Sequence, residues 1–190
     1  MRIKDEGKIA RIYEATIQLV NEIGIVGATI PKIAKAAGMA SGTLYIYFEN
    51  KEALLRALYL DLKTKVMQVT FEEIDPQQPF KLQLFQLWKE LIDFSVAHQP
   101  QRIFMEQYKQ SPYYDSTVRA ASGEWLLRAD AFLAEGRRQL LIKDAPHDLV
   151  FNLMYGYLTA LATAQHQKEI VLTSAKIEAS FQLLWDAIKA

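Results

Sequence analysis

The chain contains no cysteine among its 190 residues. This excludes disulfides, thiolate zinc sites and cysteine nucleophiles, and it is consistent with a reducing compartment. The three histidines, His98, His147 and His166, are isolated, with no carboxylate or second histidine at the spacing of metal ligands. We therefore expect helix-end roles for the histidines and no metal site.

An excess of one charge is also lacking, because 22 basic side chains balance 22 acidic ones. Bulk electrostatics thus give no sign of a nucleic-acid partner, and any such function must be local. The longest apolar tract, residues 150–164, is interrupted by Asn152 and Thr159 and is too short to span a bilayer. The start, MRIKDEGKIA, carries charge where a signal peptide needs its apolar region. We expect a cytoplasmic protein without a membrane partner.

Motifs of catalysis are missing as well. The sequence has no glycine-rich phosphate loop, no nucleophile elbow and no catalytic carboxylate pair with supporting context. We therefore predict that the protein is not an enzyme and uses no cofactor.

Helical periodicity is present along nearly the whole chain, and no alternating runs with hairpin turns occur, so we predict an all-α fold. Ile9, Tyr13, Ile17 and Val20 share one face of a first helix, about residues 5–23, which Gly24 ends in the left-handed conformation. A short helix between a Thr29 cap and Gly38 follows. A long helix capped by Asn50 then extends to about residue 75, where Pro76 and Pro79 break it. Further helices are predicted over about 80–98, 101–109, 116–139, 146–165 and 174–189.

The stretch AGMASGTLYIYF, residues 37–48, resembles a buried strand in composition, yet no second strand lies near it. As a helix it places Leu44 and Phe48 on one face, toward the preceding short helix, and leaves Tyr45, Ile46 and Tyr47 without a partner. Two short helices joined by a tight turn with glycine form a helix-turn-helix, whose second helix enters the DNA major groove. The uncovered face is therefore interpreted as a DNA-reading face.

Each residue type on that face fits a contact with DNA. Gly42 permits close backbone approach, Thr43 and Tyr47 can donate to phosphates, Ile46 can meet a thymine methyl, and Tyr45 can do either. A cation in the first turn of the next helix opposes the helix dipole, so a phosphate partner would account for Lys51. The predicted DNA-binding set also includes Thr29, Lys32 and Ser41, and for Lys32 the alternative is a solvated helix face.

Residues 24–55, GIVGATIPKIAKAAGMASGTLYIYFENKEALL, resemble the DNA-binding segment of the TetR family of bacterial transcriptional regulators. The matching positions are Gly24, Thr29, Ile33, Ala34, Ala37, Gly38, Gly42, Thr43, Leu44, Tyr45, Tyr47, Phe48, Lys51, Glu52 and Leu54. The resemblance implies a three-helix DNA-binding domain, assigned to residues 1–50, and a larger helical domain for effector binding and dimerisation, assigned to residues 51–190. The helix over about 51–75 connects the two domains. The resemblance also implies a homodimer formed mainly by the last two helices.

Aromatic residues recur on several helices of the second half. Such residues are usually core, but they also line apolar pockets between bundled helices. The candidate ligand-binding residues are Phe85, Trp88, Phe104, Glu106, Tyr108, Glu124, Trp125, Phe151 and Tyr155. They predict an apolar or aromatic effector, and the two carboxylates among the rings favour a cationic one.

Small residues recur every four positions on the penultimate helix, at Gly156, Ala160 and Ala164, a surface that lets helices approach closely. Packing within one subunit is the alternative to a two-fold four-helix interface. The predicted interface consists of Leu153, Gly156, Tyr157, Ala160 and Ala164, with Phe181, Leu184, Trp185 and Ile188 of the last helix.

These features predict a dimeric, ligand-responsive transcriptional regulator, in this family most often a repressor that a small molecule releases from a palindromic operator. The alternatives are a regulator of the same fold that lacks an effector or acts as an activator, a small helical enzyme that uses the aromatic cavity, and a purely structural helical dimer.

Overall fold

The computed structural model describes residues 6–72, 74–121 and 123–190, with the side chains of residues 119 and 124–126 outside the description. Ten helices lie in these residues: α1 Glu6–Gly27, α2 Ile30–Ala36, α3 Ser41–Tyr47, α4 Lys51–Glu72, α5 Phe80–Ala97, α6 Gln99–Lys109, α7 Ser116–Ala121, α8 Gly123–Arg138, α9 His147–His166 and α10 Ser174–Ile188. Over the described ranges the chain forms no strand, apart from one isolated bridge between Ile142 and Lys189. The predicted all-α fold is confirmed.

Local signals set most helix boundaries. Asn50 caps α4 through a hydrogen bond of 2.8 Å from the Ala53 amide to Asn50 Oδ1, as its side-chain type predicts. Gly24 adopts the expected left-handed φ of 76°, but one more helical turn follows it, so that α1 ends at Gly27 with a break inside. Thr29 occupies the N-cap of α2 with extended backbone, although its side chain makes no capping hydrogen bond.

The first compact unit comprises Met1–Lys63 and Pro100–Ser122. Its apolar core draws on α1, α2, α3 and α4, and α6 adds Phe104 and Tyr108, both fully buried. Tyr59 of α4 packs on the Tyr108 ring at a centroid distance of 4.7 Å. The core of this unit therefore combines the N-terminal helices with a segment from the middle of the chain.

The second compact unit comprises Thr64–Gln99 and Gly123–Ala190. Its core lies where α5 packs on α9 and α10, with Trp88 fully buried and its indole N–H donating to Ser180 Oγ at 2.9 Å. Gly136 of α8 lies directly against the Phe80 ring, where an added Cβ would come within 2.7 Å of Phe80 Cε1. The absence of a side chain at Gly136 thus allows α8 to pack closely on Phe80 at the start of α5.

The two compact units differ from the domains expected at residues 1–50 and 51–190. The division by contacts falls inside α4, between residues 63 and 64, and assigns residues 100–122 to the N-terminal unit. Those two expected domains are functional assignments, and they stay a prediction.

Two non-glycine residues adopt left-handed backbone just after helices. Leu140 follows α8 with φ 57°, and Lys168 follows α9 with φ 61°. The amides that come next close the helix ends, since Leu141 N donates to Gly136 O at 3.0 Å and Glu169 N donates to Ala164 O at 2.9 Å. Glycine is the residue that usually occupies this position.

Candidate nucleic-acid interface

Helices α2 and α3 form a pair joined by a tight turn. Gly38 has a left-handed φ of 68°, and the Met39 amide donates to Ala34 O at 2.9 Å. Ala40 is the N-cap of α3, and its carbonyl accepts from Thr43 N at 2.9 Å. Since Ala40 has no side-chain oxygen, α3 begins without a side-chain cap at this residue. The geometry is that of a helix-turn-helix.

The inner face of α3 is anchored in the core. Leu44 is fully buried, and Phe48, just after the helix, lies with its ring centroid 6.0 Å from that of Tyr13 on α1. The prediction that Leu44 and Phe48 complete the core of this domain is confirmed. Tyr47, expected to contact DNA, is partly buried and packs against the same core.

The outer face of α3 is open. Tyr45 is 57% exposed, Ile46 is 60% exposed, and Gly42 is exposed with no atom within 4 Å of where a Cβ would stand. Ser41 and Thr43 are partly exposed beside them. An anchored helix that exposes an isoleucine, a hydroxyl-bearing ring and a bare glycine can offer a DNA groove both apolar contact and close approach.

Thr29 and Lys32, the predicted contacts at the start of α2, are both exposed. The Lys32 ammonium donates to Gly27 O at 3.2 Å, so it lies over the end of α1. A role in contacting phosphate stays a prediction for each of these two side chains.

Lys51 has protein partners that its sequence position does not reveal. Its ammonium donates to Ile25 O at 2.6 Å and to Val26 O at 3.3 Å, and it lies 5.3 Å from the ring centroid of Tyr113. Carbonyls at the end of α1 therefore offset the unfavourable dipole of α4, so a phosphate is not needed to account for this cation. A phosphate contact of Lys51 stays a prediction.

Comparison with known proteins identifies the family. Residues 12–58 match the family described as bacterial regulatory proteins, tetR family, and residues 79–189 match the tetracyclin repressor-like C-terminal domain. The chain therefore belongs to the TetR family of transcriptional regulators, and it is a DNA-binding regulator with a helix-turn-helix.

Three relatives illustrate the match. A TetR family transcription regulator from Marinobacter aquaeolei VT8 superposes with a TM-score of 0.92 at 26% identity, over 100% of this chain and 99% of the other. An uncharacterized HTH-type transcriptional regulator of Haemophilus influenzae is 25% identical over 94% of each chain. The transcriptional regulator FadR from Bacillus subtilis, in complex with stearoyl-CoA, shares the fold with a TM-score of 0.74 at 22% identity, over 92% of this chain and 96% of the other.

The residues predicted to bind an effector fall into different compact units. Phe104, Glu106 and Tyr108 belong to the first unit, whereas Phe85, Trp88, Phe151 and Tyr155 belong to the second. Within the second unit, the Phe151 ring stacks on Tyr155 with centroids 6.3 Å apart, and the Phe85 ring lies 5.0 Å from Phe181. The side chains of Glu124 and Trp125 lie outside the described residues. The structure therefore assigns the remaining seven to two separate compact units.

Three of these candidates have polar groups that are satisfied within the protein. Arg102 donates to Glu106 Oε1 at 2.7 Å, so this carboxylate already has a cation partner, and the argument for a cationic effector is weaker than the sequence suggested. Tyr108 donates to Tyr113 O at 3.0 Å, and burial raises the pKa of Tyr108 to about 12. Trp88, described above, bonds to Ser180.

The predicted dimer surface needs a correction on α10. Phe181, Leu184, Trp185 and Ile188 are at most 9% exposed because they pack in the core of their own protomer. Their assignment to the interface was wrong, since an apolar stripe on a terminal helix identifies a buried face without identifying its partner.

The α9 half of that surface is largely exposed. Leu153, Gly156 and Ala160 lie open to solvent, and Ala164 is partly exposed. Tyr157 packs inward, with its ring 5.5 Å from that of Trp88. Sequence reasoning missed Leu149 on α9 and Leu183 on α10, which are also exposed. The available signal for Leu183 was its place on the helix face, because the residues three and four positions away from it in α10 are polar or small.

Two other features are absent from the described ranges. No group of three metal-ligating side chains comes together there, and no helix there is both long enough and apolar enough to cross a membrane.

Proposed function

We propose that the protein is a dimeric repressor that reads a palindromic operator with α3 and leaves it when a small molecule binds the rest of the chain. The observation that supports this proposal is the exposed pair Tyr45 and Ile46 on a helix whose opposite face is buried. In the proposed complex Ile46 contacts a thymine methyl, a group that only the major groove displays. Gly42 allows the helix to approach the backbone, and Thr43 binds phosphate.

Release by the effector requires that the effector bind the free protein and the operator-bound protein with unequal affinity. A ligand that weakens operator binding tenfold must itself bind the operator complex tenfold more weakly, a coupling of about 1.4 kcal/mol. Acyl-CoA thioesters and flat aromatic compounds are the ligand classes to titrate first. The acyl chain of the first class and the rings of the second are apolar, and the relative from Bacillus subtilis that shares the fold is in complex with stearoyl-CoA.

Selection from random duplexes tests the DNA-binding half of the proposal. We expect an inverted repeat whose half-sites lie one helical turn apart, about 34 to 36 Å, or a multiple of it. Ile46→Ala should relax base preference at one position in each half-site by about 1 kcal/mol, because the methyl contact is lost while the exposed side chain contributes little to the fold.

Leu127→Ala is the matched control, since Leu127 is an exposed apolar residue of α8. It should leave both the selected sequence and the affinity unchanged. Recovery of the same base preferences with Ile46→Ala would show that Ile46 does not read the operator.

A further inference from the structure

The break in α1 leaves backbone that needs partners from outside the helix. Gly24 has φ 76° and ψ 162°, angles that turn the next peptide out of the helical path. The helical turn then resumes, with Ala28 N donating to Gly24 O at 3.2 Å. Ile25 follows the break directly and is buried, and a buried backbone N–H must be satisfied somewhere.

The side-chain amide of Gln107 bonds on both sides of this break. Its Oε1 accepts from Ile25 N at 3.1 Å, and its Nε2 donates to Val20 O at 3.3 Å. A primary amide offers both a donor and an acceptor, which neither a carboxylate nor an apolar side chain of the same length provides. Gln107 thus connects α6 to the two helical segments of α1.

Two further side chains hold the same region. Asn21 Nδ2 donates to Pro100 O at 3.0 Å, which joins α1 to the first turn of α6. The Lys51 ammonium donates to Ile25 O at 2.6 Å from the start of α4. The backbone of Ile25 is therefore bonded to α6 through its N–H and to α4 through its carbonyl.

The helix-turn-helix begins immediately after this held segment. Ile30, the first residue of α2, is five positions beyond Ile25, and both side chains are buried in the same core. A connection this short transmits a displacement at the break to α2 and to α3, which packs on it.

We propose that Gln107 is a positioning residue for DNA recognition: its amide fixes the break in α1 and thereby the orientation of α3. Gln107 itself does not contact DNA in this proposal, which rests on α3 being the DNA-reading helix. When the amide is removed, the break samples other conformations, and only a fraction of molecules presents α3 correctly. Apparent operator affinity falls in proportion to that fraction.

The test compares two variants of Gln107 with a control variant of Gln110, which follows the end of α6. Gln107→Met keeps the length of the side chain and removes both hydrogen bonds, Gln107→Glu keeps the acceptor for Ile25 N–H alone, and Gln110→Met changes an exposed glutamine of the segment after α6. Operator affinity is measured for each, together with the unfolding midpoint and hydrogen exchange at the Ile25 amide. A residue important only for stability would lower the unfolding midpoint and leave operator affinity unchanged at temperatures well below that midpoint.

We expect Gln107→Met to weaken operator binding about tenfold and to speed exchange at Ile25, with Gln107→Glu intermediate and Gln110→Met like the wild type. Operator affinity of Gln107→Met equal to that of Gln110→Met would overturn the proposal while leaving the DNA-binding function intact. Failure of the wild-type protein to select any operator would instead count against the proposed function, and the positioning role would fall with it. If Gln107→Met does not fold, Gln107→Glu decides, because wild-type affinity in that variant would contradict a role for the full amide.

Discussion

At the scale of single residues, two lysines of the first unit have ammonium groups that are costly to keep charged. Burial lowers the pKa of Lys63 to about 7, with repulsion from Lys109 as the smaller cause. Burial is also the main reason why the pKa of Lys109 is lowered. The Lys63 ammonium lies 5.9 Å from the ring centroid of Tyr59, a residue of the core. This side chain therefore links the stability of the unit to pH.

Lys63→Met should be more stable than the wild type at pH 7, and its advantage should shrink as pH rises. Between the folded pKa of about 7 and the unfolded value near 10.4, the unfolded wild-type chain binds more protons than the folded one. The free energy of unfolding of the wild type therefore rises with pH, by at most about 1.4 kcal/mol per pH unit from this group. Denaturant unfolding at pH 7, 8 and 9 measures the difference.

Lys65→Met changes an exposed position two residues further along α4 and is the control. Its free energy of unfolding should differ from that of the wild type by the same amount at pH 7, 8 and 9. If the free energy of unfolding of the wild type and of Lys63→Met changed with pH in parallel, Lys63 would stay charged in the folded protein.

Some residues of the DNA-binding unit were predictable because their roles are local. Asn50 as a helix cap and Gly24 as a left-handed residue follow from their own chemistry, and the inner face of α3 follows from its periodicity. The carbonyl partners of Lys51 and the amide bonds of Gln107 were not predictable. They join residues 25 or more positions apart, and periodicity along a helix does not say which distant group a side chain meets.

At the scale of helices, the ends of α8 and α9 each contain a strained residue. Leu140 and Lys168 adopt left-handed backbone that glycine adopts without steric cost, and both are exposed. An L-residue there costs about 1 to 2 kcal/mol relative to the right-handed conformation. Neither side chain is buried, so little packing would be lost on replacing it.

Leu140→Gly and Lys168→Gly should each raise the free energy of unfolding by about 0.5 to 1 kcal/mol, since relief of strain exceeds the extra entropy of glycine in the unfolded chain. Thermal unfolding should show a rise of about 2 °C or more for each variant. Gln167→Gly is the control, because Gln167 is exposed and has an ordinary helical φ of −72°. That variant should be destabilised. A lower melting temperature for both predicted variants would mean that the left-handed residues carry no strain.

Helix positions were more predictable than helix partners. Predicted spans such as 80–98, 146–165 and 174–189 agree within two residues with α5, α9 and α10, because prolines and caps mark their ends. The partner of the apolar stripe on α10 was predicted wrongly. Its apolar stripe packs on α5 in the same protomer, and a stripe alone does not distinguish a neighbouring helix from a second subunit.

At the scale of the whole molecule, α9 and α10 expose apolar side chains that form a candidate dimer surface. Leu149, Leu153 and Leu183 are exposed, and Gly156 and Ala160 lie in the same stretch of α9. We propose that a second copy of the chain covers this surface, as expected from the family. A stable dimer of this kind buries roughly 1,200 to 2,000 Å² in total.

Gly156→Glu should convert the dimer to a folded monomer. No atom lies within 4 Å of where a Cβ at Gly156 would stand, so the protomer accommodates the side chain, whereas the interface would bury an unpaired carboxylate. Sedimentation measures the mass, and circular dichroism measures helix content. Leu82→Glu, which places the same charge on an exposed leucine of α5, should remain dimeric. A dimeric Gly156→Glu variant would move the interface elsewhere on the chain.

The break at Gly24 bears on how the chain can be divided and recombined. The matched N-terminal segment ends at residue 58, but Pro100 and Gln107, which hold α1, come more than 40 residues later. A fragment that stops at residue 58 would carry the recognition helix without these partners. In a chimera that joins this N-terminal segment to the remainder of a relative, the relative would have to supply a carbonyl acceptor for Asn21 and a glutamine at the position of Gln107. The transferable module is therefore residues 1–63 together with residues 100–122, two pieces of chain that must be exchanged as one.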